Sequence, residues 1–245
     1  MIFDALSYVV TLHPFDEQEY TELILGVVSG RHTPDDLVAR YATDARVSEL
    51  VSTWVPRMRE ALGSLRAGDG IPWSAAVNFM AGVLNAHVHP AWFVGDVGLS
   101  YWRFPGECPL RPFTRSMAVM AARVPDIGAA VSEIREGFAG PMTAGSYVSS
   151  ADLTHFMREL EQRPINYADP LRAAGYDPLE VLPVVLETLY YARERRLAVL
   201  EVTHALDPAT GYPLFPVENL RGGQYGRLNP EVRERIARTL ATQEG

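Results

Sequence analysis

The sequence predicts a predominantly helical α+β protein with a small sheet. Long stretches carry apolar residues at the three- and four-residue spacing of amphipathic helices. Only a few short segments have the β-branched and aromatic composition of strands. Hydrophobic residues make up 47% of the 245 residues, which is enough apolar material for a real core.

Three segments are predicted to be strands. Residues 6–12 are β-branched and aromatic, and His13 and Pro14 are expected to end that strand. Residues 197–203 have the same composition and follow directly on a helical segment. A third, short strand is predicted at 99–104. The sheet should therefore be small.

Helices are predicted along most of the remaining chain. Several of their starts are marked by a capping residue followed by proline, as at Thr33-Pro34 and Asn229-Pro230. The predicted helices cover residues 16–29, 44–65, 73–84, 112–124, 125–137, 149–162, 177–196 and 229–241.

The chain is expected to form a single domain over residues 1–245, because its length fits one large domain. Residues 67–72 are a loop rich in glycine and form the best internal break. Residues 86–111 are rich in proline, glycine and aromatic residues and have no helical period. Long irregular segments of this kind carry function more often than average.

Composition excludes several classes of function. All 22 basic residues are arginine, so the chain has neither a Schiff-base lysine nor a phosphate-loop lysine. The net charge of −8 argues against general binding to nucleic-acid backbone. Nucleic acid is therefore not expected as a partner. A membrane is not expected as a partner either, because no apolar run approaches the roughly 20 residues of a membrane-spanning helix.

A cytoplasmic location is expected. The N-terminus lacks the basic region and the long apolar stretch of a signal peptide. Cys108 is the single cysteine, so no internal disulfide can form, which fits a reducing compartment.

The most chemically suggestive motif is residues 85–90. His87 and His89 are spaced i and i+2, so on an extended segment both would point the same way and could reach one divalent metal ion. The motif resembles the first metal-binding strand of amidohydrolases. However, the roughly 155 residues that follow are too few for the rest of a barrel of ~250 residues. A smaller metal site with Asp96 or Glu107 stays open, and so does a purely structural role.

Aromatic residues follow the two histidines. A pocket for a planar or anionic ligand is predicted there, and core packing around an irregular segment is the alternative. The predicted ligand-binding residues are His87, His89, Trp92, Tyr101, Trp102 and Arg103.

Other possible nucleophiles and anion sites are weaker. Ser100 with His204, or Cys108 with one of the two histidines, would make a nucleophile and base. The arginines at 193–196 could bind an acidic partner or phosphate, but they also suit a helix C-terminus. The loop 221–227 could hold an anion, although a flexible loop is the plainer interpretation.

The C-terminal half carries a resemblance to a known family. Residues 147–152 lead into a helix, and a later helix ending in Tyr190-Tyr191-Ala192 runs into the final strand. This order resembles the C-terminal half of the YfbM-like bacterial proteins, whose function is unknown. The resemblance covers residues 144–204, and the helix start lacks the proline of that group. It implies an α+β fold and no known activity.

Two hypotheses about function follow. The first is a cytoplasmic binding or interaction protein with an aromatic and histidine-lined pocket, whose partner is a small molecule or a protein. The second is a metal-dependent or acid–base enzyme of the hydrolase type that uses His87 and His89.

Overall fold

Six strands form one mixed sheet within the described part of the chain. They are β1 Val10–Phe15, β2 Ala91–Phe93, β3 Arg115–Ser116, β4 Ser146–Val148, β5 Ala198–Thr203 and β6 Leu220–Arg221. Their order is β3-β4-β5-β1-β2-β6, and every neighbouring pair is antiparallel except β2 and β6. The computed structural model describes residues 10–41, 45–66, 73–95, 97, 113–125, 127, 146–203, 205 and 214–244.

Helices surround this sheet and dominate the structure. They are α1 Glu17–Glu19, α2 Leu25–Ser29, α3 Pro34–Tyr41, α4 Ala45–Arg66, α5 Trp73–Val88, α6 Ala118–Ala121, α7 Leu153–Gln162, α8 Ile165–Ala173, α9 Pro178–Arg195 and α10 Pro230–Glu244. A π-helical turn at Tyr20–Ile24 joins α1 to α2, and 3₁₀ turns form at Val217–Asn219 and Gly223–Tyr225. The predicted class, a mainly helical α+β fold with a small sheet, is confirmed.

The sheet lies between two layers of helices. Because side chains alternate along a strand, Phe15 of β1 and Leu200 of β5 face the layer that contains α2 to α5. Leu12 and Val199 face the opposite layer, which contains α7 to α10. Helix α5 packs on β1 and β5 from one side, and α9 packs on the same strands and β2 from the other. All six residues of β1 are consequently buried.

The first strand was wrongly predicted to end at His13 and Pro14. Strand β1 continues through both residues to Phe15, and Pro14 pairs with Val199 of β5. Strand β2 pairs with β1 only at Thr11 and Leu12, so Pro14 lies where β1 has one neighbour. Proline has no backbone N–H, and it is tolerated there because no second strand pairs with β1 at that position. Residues 6–9 lie outside the described residues.

Two helix predictions were also wrong in extent. Helix α5 was expected to end near residue 84, yet it runs to Val88. Residues 112–124 were expected to be one helix, but they contain β3 and the single turn of α6 instead. A two-residue strand has no local sequence signal, because it forms only through pairing with β4. The predictions for 67–72, 99–104 and most of 125–137 lie outside the described residues.

Three helices of the C-terminal half, α7, α9 and α10, confirm the prediction, whereas α8 at Ile165–Ala173 was not predicted and lies where only a polar break was expected. Helix α9 begins at Asp177, whose side chain accepts a hydrogen bond from the Leu179 backbone N–H at 2.8 Å. It ends at Arg196, which adopts a left-handed conformation with φ of 57°. Strand β5 follows immediately, as the sequence indicates. None of the described helices is long and apolar enough to cross a membrane.

Helix α5 approaches the sheet closely at Gly82. A Cβ atom at this position would lie 2.4 Å from Val202 Cγ2 of β5, so only glycine fits. Next to it, His13 is fully buried, and its Nε2 lies 2.7 Å from the Thr11 hydroxyl oxygen. The Phe215 ring meets the imidazole edge-on at 5.8 Å. Burial lowers the pKa of His13 to about 3, although a hydrogen bond with the Gly82 backbone partly opposes the shift.

This burial predicts an acid-sensitive contribution to stability. Between about pH 6.5 and pH 3 the unfolded chain binds a proton at His13 that the folded chain excludes, so the free energy of unfolding falls as the pH falls. In a His13→Gln variant this slope of about 1.4 kcal/mol per pH unit is absent. Urea unfolding from pH 7 to pH 4 should therefore show the stability gap between wild type and variant shrinking with acid.

An exposed histidine provides the matched control. His155→Gln should change the free energy of unfolding at pH 7 by no more than about 0.5 kcal/mol, because His155 lies on the surface. A gap between wild type and His13→Gln that stays constant from pH 7 to pH 4 would contradict the assignment of the acid sensitivity to His13.

Candidate functional site

Only part of the predicted site lies within the described residues. His87, His89 and Trp92 are described, and their surroundings are given below. The other predicted residues lie outside the described part, as do the possible third metal ligands and nucleophiles. These are Tyr101, Trp102, Arg103, Asp96, Glu107, Ser100, Cys108 and His204.

The two histidines do not lie on an extended segment, so that interpretation of the motif was wrong. His87 is in the last turn of α5 and is 4% exposed, whereas His89 follows the helix and is half-buried. The Asn85 side chain donates to the Ala81 carbonyl oxygen, and the His89 backbone N–H donates to the Asn85 carbonyl oxygen. The sequence of α5 lacks a clear apolar period because nearly all of the helix residues whose burial is described are buried.

The proposed metal site gains no third ligand from the described residues. Among them, no group of three or more histidine, cysteine or acidic side chains is arranged to hold a metal ion. His87 lies within the helix and His89 lies after its end, so the two do not alternate along one strand as the metal hypothesis assumed. Metal binding by this pair stays a prediction.

His89 instead contacts helix α9. Its Nδ1 lies 3.2 Å from the Tyr191 hydroxyl oxygen, and the two rings meet edge-on at 6.1 Å. Burial is the main cause that lowers the pKa of His89. The charges of Arg40 and Arg195 lower it further, and Glu19 opposes them. The imidazole is therefore mostly neutral at pH 7.

Two arginines and two aromatic rings form a continuous row of contacts beside His89. We call Arg195, Tyr191, Trp92 and Arg221 the arginine–aromatic row. The Arg195 guanidinium carbon lies 3.8 Å from the centre of the Tyr191 ring. The Tyr191 and Trp92 rings are 5.2 Å apart, and the Arg221 guanidinium carbon is 5.4 Å from the Trp92 ring. The arginine side chains are 46% and 36% exposed, so both ends of the row reach solvent.

Secondary structure determines this arrangement. Tyr191 and Arg195 are four residues apart on α9, so they are neighbours on one helix face. Trp92 and Arg221 are paired residues of the parallel strands β2 and β6. Cross-strand partners lie side by side on the same sheet face, which places Arg221 beside the indole ring.

A buried carboxylate supports the centre of the row. Glu187 is 9% exposed, and one of its oxygens accepts a hydrogen bond from Trp92 Nε1–H at 3.2 Å. The other oxygen accepts from the Asn229 backbone N–H at 2.6 Å, at the start of α10. Arg221 lies 3.7 Å from the same carboxylate. Glu187 therefore fixes the orientation of the indole and holds the Arg221 guanidinium.

Arg40 and Glu19, whose charges act on His89, form a second ion pair. The guanidinium of Arg40 donates from Nε at 2.9 Å and from Nη2 at 2.8 Å to one carboxylate oxygen of Glu19. The Tyr41 hydroxyl donates to the other oxygen of Glu19. The Arg40 side chain is 47% exposed, so water screens this pair, although two charge-assisted contacts to one oxygen still offset part of the positive charge.

Two cavities between described residues lie away from the predicted site residues. The larger has a volume of about 430 Å³, and the smaller has about 280 Å³. The larger lies beside α1 and β3 and is lined by both acidic and basic residues, among them Glu17, Glu22, Arg115 and Arg123. The smaller lies at the start of α10, where Asn229 and Arg233 line it together with Gly223 and Gly226.

The residues that surround His89 and Trp92 were not predicted from the sequence. Tyr191 and Glu187 were not predicted as site residues, although their spacing of four on α9 could have placed them with Arg195 on one helix face. Their proximity to residues some 100 positions earlier has no local signal. Among known proteins, no family model, curated protein or solved structure matches this chain.

The geometry predicts that Glu187 stabilises the fold. In Glu187→Ala the Trp92 indole N–H and the Asn229 backbone N–H both lose a buried acceptor, which should lower the free energy of unfolding by about 2 kcal/mol or more. Urea unfolding at pH 7 measures this loss. Glu194→Ala on the exposed face of the same helix is the control and should change stability by no more than about 0.5 kcal/mol. Equal effects of the two substitutions would contradict the assigned role.

Proposed function

We propose that the protein is a cytoplasmic binding protein whose ligand is a small anionic molecule, bound at the arginine–aromatic row beside His89. One observation carries the proposal. The Arg195 guanidinium stacks on the Tyr191 ring at 3.8 Å while 46% of the Arg195 side chain stays exposed. Its ion-pair partner among the described residues is the adjacent Glu194, at 3.4 Å and 66% exposed. Such an exposed pair is weak.

The chemistry of arginine supports an anionic ligand. A stacked guanidinium keeps its N–H edge available, and that edge matches a carboxylate or a phosphate in a bidentate geometry. Tyr191 holds the Arg195 side chain in place, so less side-chain conformational entropy is lost when a ligand binds. An acidic protein segment would use the same arginine, and binding of such a segment in place of a small anion is one outcome of the test.

The cellular setting and the family relationship are part of the same proposal. The single cysteine supports the cytoplasm, where thiols stay reduced. The elements β4, α7, α9 and β5 follow in the order expected for the YfbM-like proteins over residues 144–204, with the additional helix α8 between α7 and α9, and this order supports the relationship. A solved structure of one such protein with this strand and helix order would support it further, and a different order would overturn it.

Anion binding at Arg195 is tested by thermal unfolding. Benzoate and inorganic phosphate at concentrations about tenfold above Kd would stabilise the native state by on the order of 1 kcal/mol, which raises Tm by roughly 2–4 °C. Sodium chloride at equal ionic strength controls for screening. We expect the rise for at least one probe to be lost in Arg195→Gln.

The neighbouring arginine serves as the matched control. Arg196 is equally exposed and carries the same charge, yet it is not in the row, so Arg196→Gln should keep the response. Equal responses in the two variants would mean that the anion does not bind at Arg195 and would overturn the proposal.

An acid–base enzyme is the second candidate, and the contact of His89 with Tyr191 favours it. A neutral imidazole at 3.2 Å from a phenol oxygen is able to accept a proton, which is the requirement for a general base. The metal-dependent version uses His87 together with His89. In that version the two imidazoles would hold a divalent metal that activates water.

Metal analysis of the purified protein separates the candidates. The metal-dependent enzyme requires stoichiometric zinc, manganese or iron that is lost in His89→Asn, a substitution at a half-buried position that the fold should tolerate. The binding protein requires no metal, and anion binding in it persists after chelation. Stoichiometric metal in the wild type that disappears in His89→Asn would favour the enzyme over the proposed binding protein.

A further inference from the structure

The larger cavity, of about 430 Å³, is lined by charged side chains of both signs. It lies beside α1, β3 and the start of α7, and it shares no lining residue with the arginine–aromatic row. We infer that it binds a small zwitterion, an amino acid whose ammonium group contacts Glu17 and Glu22 and whose carboxylate contacts Arg123. This second site does not depend on the proposed function.

The opposite charges of this cavity do not pair with one another. Glu17 and Glu22 come from α1 and the π-helical turn, whereas Arg115 and Arg123 come from β3 and the segment after α6. In the described part of the chain, neither glutamate forms an ion pair with either arginine. A molecule with one charge of each sign fits between such groups, because each of its ends gains a charge-assisted hydrogen bond.

The size of the cavity agrees with a small ligand. Small-molecule sites occupy about 300–1,000 Å³, and this cavity lies in the lower half of that range. A compact space of this volume is roughly 9 Å across, which is about one Debye length at physiological ionic strength. Charges on opposite walls therefore act on the same bound molecule.

Arg123 is the arginine that is available to a ligand carboxylate. The other arginine of the cavity is engaged, because Arg115 Nε donates to one Asp152 carboxylate oxygen at 2.9 Å and its Nη2 lies 2.7 Å from the same oxygen. Arg123 is exposed and has no hydrogen-bond or ion-pair partner among the described residues. A guanidinium matches a carboxylate in geometry and charge, so the anionic end of the ligand is assigned to Arg123.

The two glutamates accept hydrogen bonds only from neutral donors. One Glu17 oxygen accepts from the Ser150 backbone N–H at 3.2 Å and from the Ser150 hydroxyl at 2.7 Å. One Glu22 oxygen accepts from the Gln18 side-chain amide at 2.9 Å. Neutral donors leave the negative charge of both carboxylates in place. An ammonium group, which has three N–H donors and one positive charge, is the ligand group that matches them.

The acidic wall is built on an unusual piece of helix. Thr21 and Glu22 belong to the π-helical turn Tyr20–Ile24, in which backbone hydrogen bonds span five residues instead of four. Single π turns are rare and are frequently found at functional sites. The bonds from Ser150 to Glu17 fix this wall to the start of α7, so little ordering of the protein is required when a ligand binds.

Ligands with charges of one sign only are disfavoured by the same residues. A second cationic group would approach Arg115 or Arg123, and a second anionic group would approach Glu17 or Glu22. Repulsion between like charges offsets the attraction that such a group gains elsewhere in the cavity. An amino acid avoids both costs because its two charges face opposite walls.

Four probes test the inference: glycine, 4-aminobutyrate, butyrate and butylamine. The first two carry both charges at different separations, whereas butyrate has only the negative charge and butylamine only the positive one. Binding to the full chain is followed at pH 7.5 by nuclear magnetic resonance titration. We expect one of the two zwitterions to bind at least about tenfold more tightly than butyrate and butylamine. The largest chemical-shift changes should fall on the backbone amides of residues 17–22 and 149–151.

Charge substitutions at Arg123 provide the second part of the test. Arg123→Gln should weaken zwitterion binding about tenfold, whereas Arg238→Gln, at an exposed arginine of α10 outside the cavity, should leave it unchanged. Arg123→Glu adds a third carboxylate to the cavity, so butylamine should bind this variant about tenfold more tightly than the wild type. Such a gain requires a folded cavity and therefore guards against variants that merely unfold.

Several results would overturn the inference. Binding of neither zwitterion would do so, as would butyrate or butylamine binding as tightly as the better zwitterion. Zwitterion binding that Arg123→Gln leaves unchanged would place the ligand elsewhere, and so would chemical-shift changes centred on Tyr191 and Arg195. Anion binding at the row is judged separately through Arg195→Gln, because Arg195 does not line this cavity.

Discussion

Coverage of strand β1 on both faces is the constraint on which the remaining architecture depends. A strand that lies between two helical layers has no solvent to satisfy its polar side chains, so each must find a partner inside the protein. His13 Nε2 and the Thr11 hydroxyl meet this requirement with each other, and Gly82 gives α5 the room to close over them. The two layers are thereby held at opposite faces of one sheet.

The buried carboxylate of Glu187, in the middle of α9, also connects several elements of the structure. It joins elements that are far apart in sequence, because its hydrogen bonds reach β2 and the start of α10 while Arg221 approaches from β6. A buried acid in this position orients the groups around it and also sets the local charge. The same residue therefore belongs both to the fold and to the electrostatics of the row.

Sequence patterns predicted the elements that expose one face to solvent. Helices α4, α7 and α10 alternate apolar and polar residues at helical spacing, and each was found close to its predicted position. Helix α5 lost that signal at its end because residues such as Leu84 and His87 are buried. Strands β3 and β6 have two residues each and exist only through pairing, so no local pattern could indicate them.

The candidate site was predictable only in fragments for the same reason. The motif at 85–90 indicated His89 and the aromatic residues after it indicated Trp92, but the residues that contact these two side chains come from α9 and β6. These residues are brought together by tertiary structure, whereas composition and periodicity report only the local environment of each residue. The extended geometry assumed for the histidine pair was wrong because tertiary burial kept residues 85–88 helical.

Every cation of the row is an arginine, as is every basic residue of the chain. A guanidinium keeps its proton throughout the physiological pH range, so the positive charge of this surface is a constant rather than a variable. An anion that approaches this surface therefore meets the same guanidinium charges at any physiological pH.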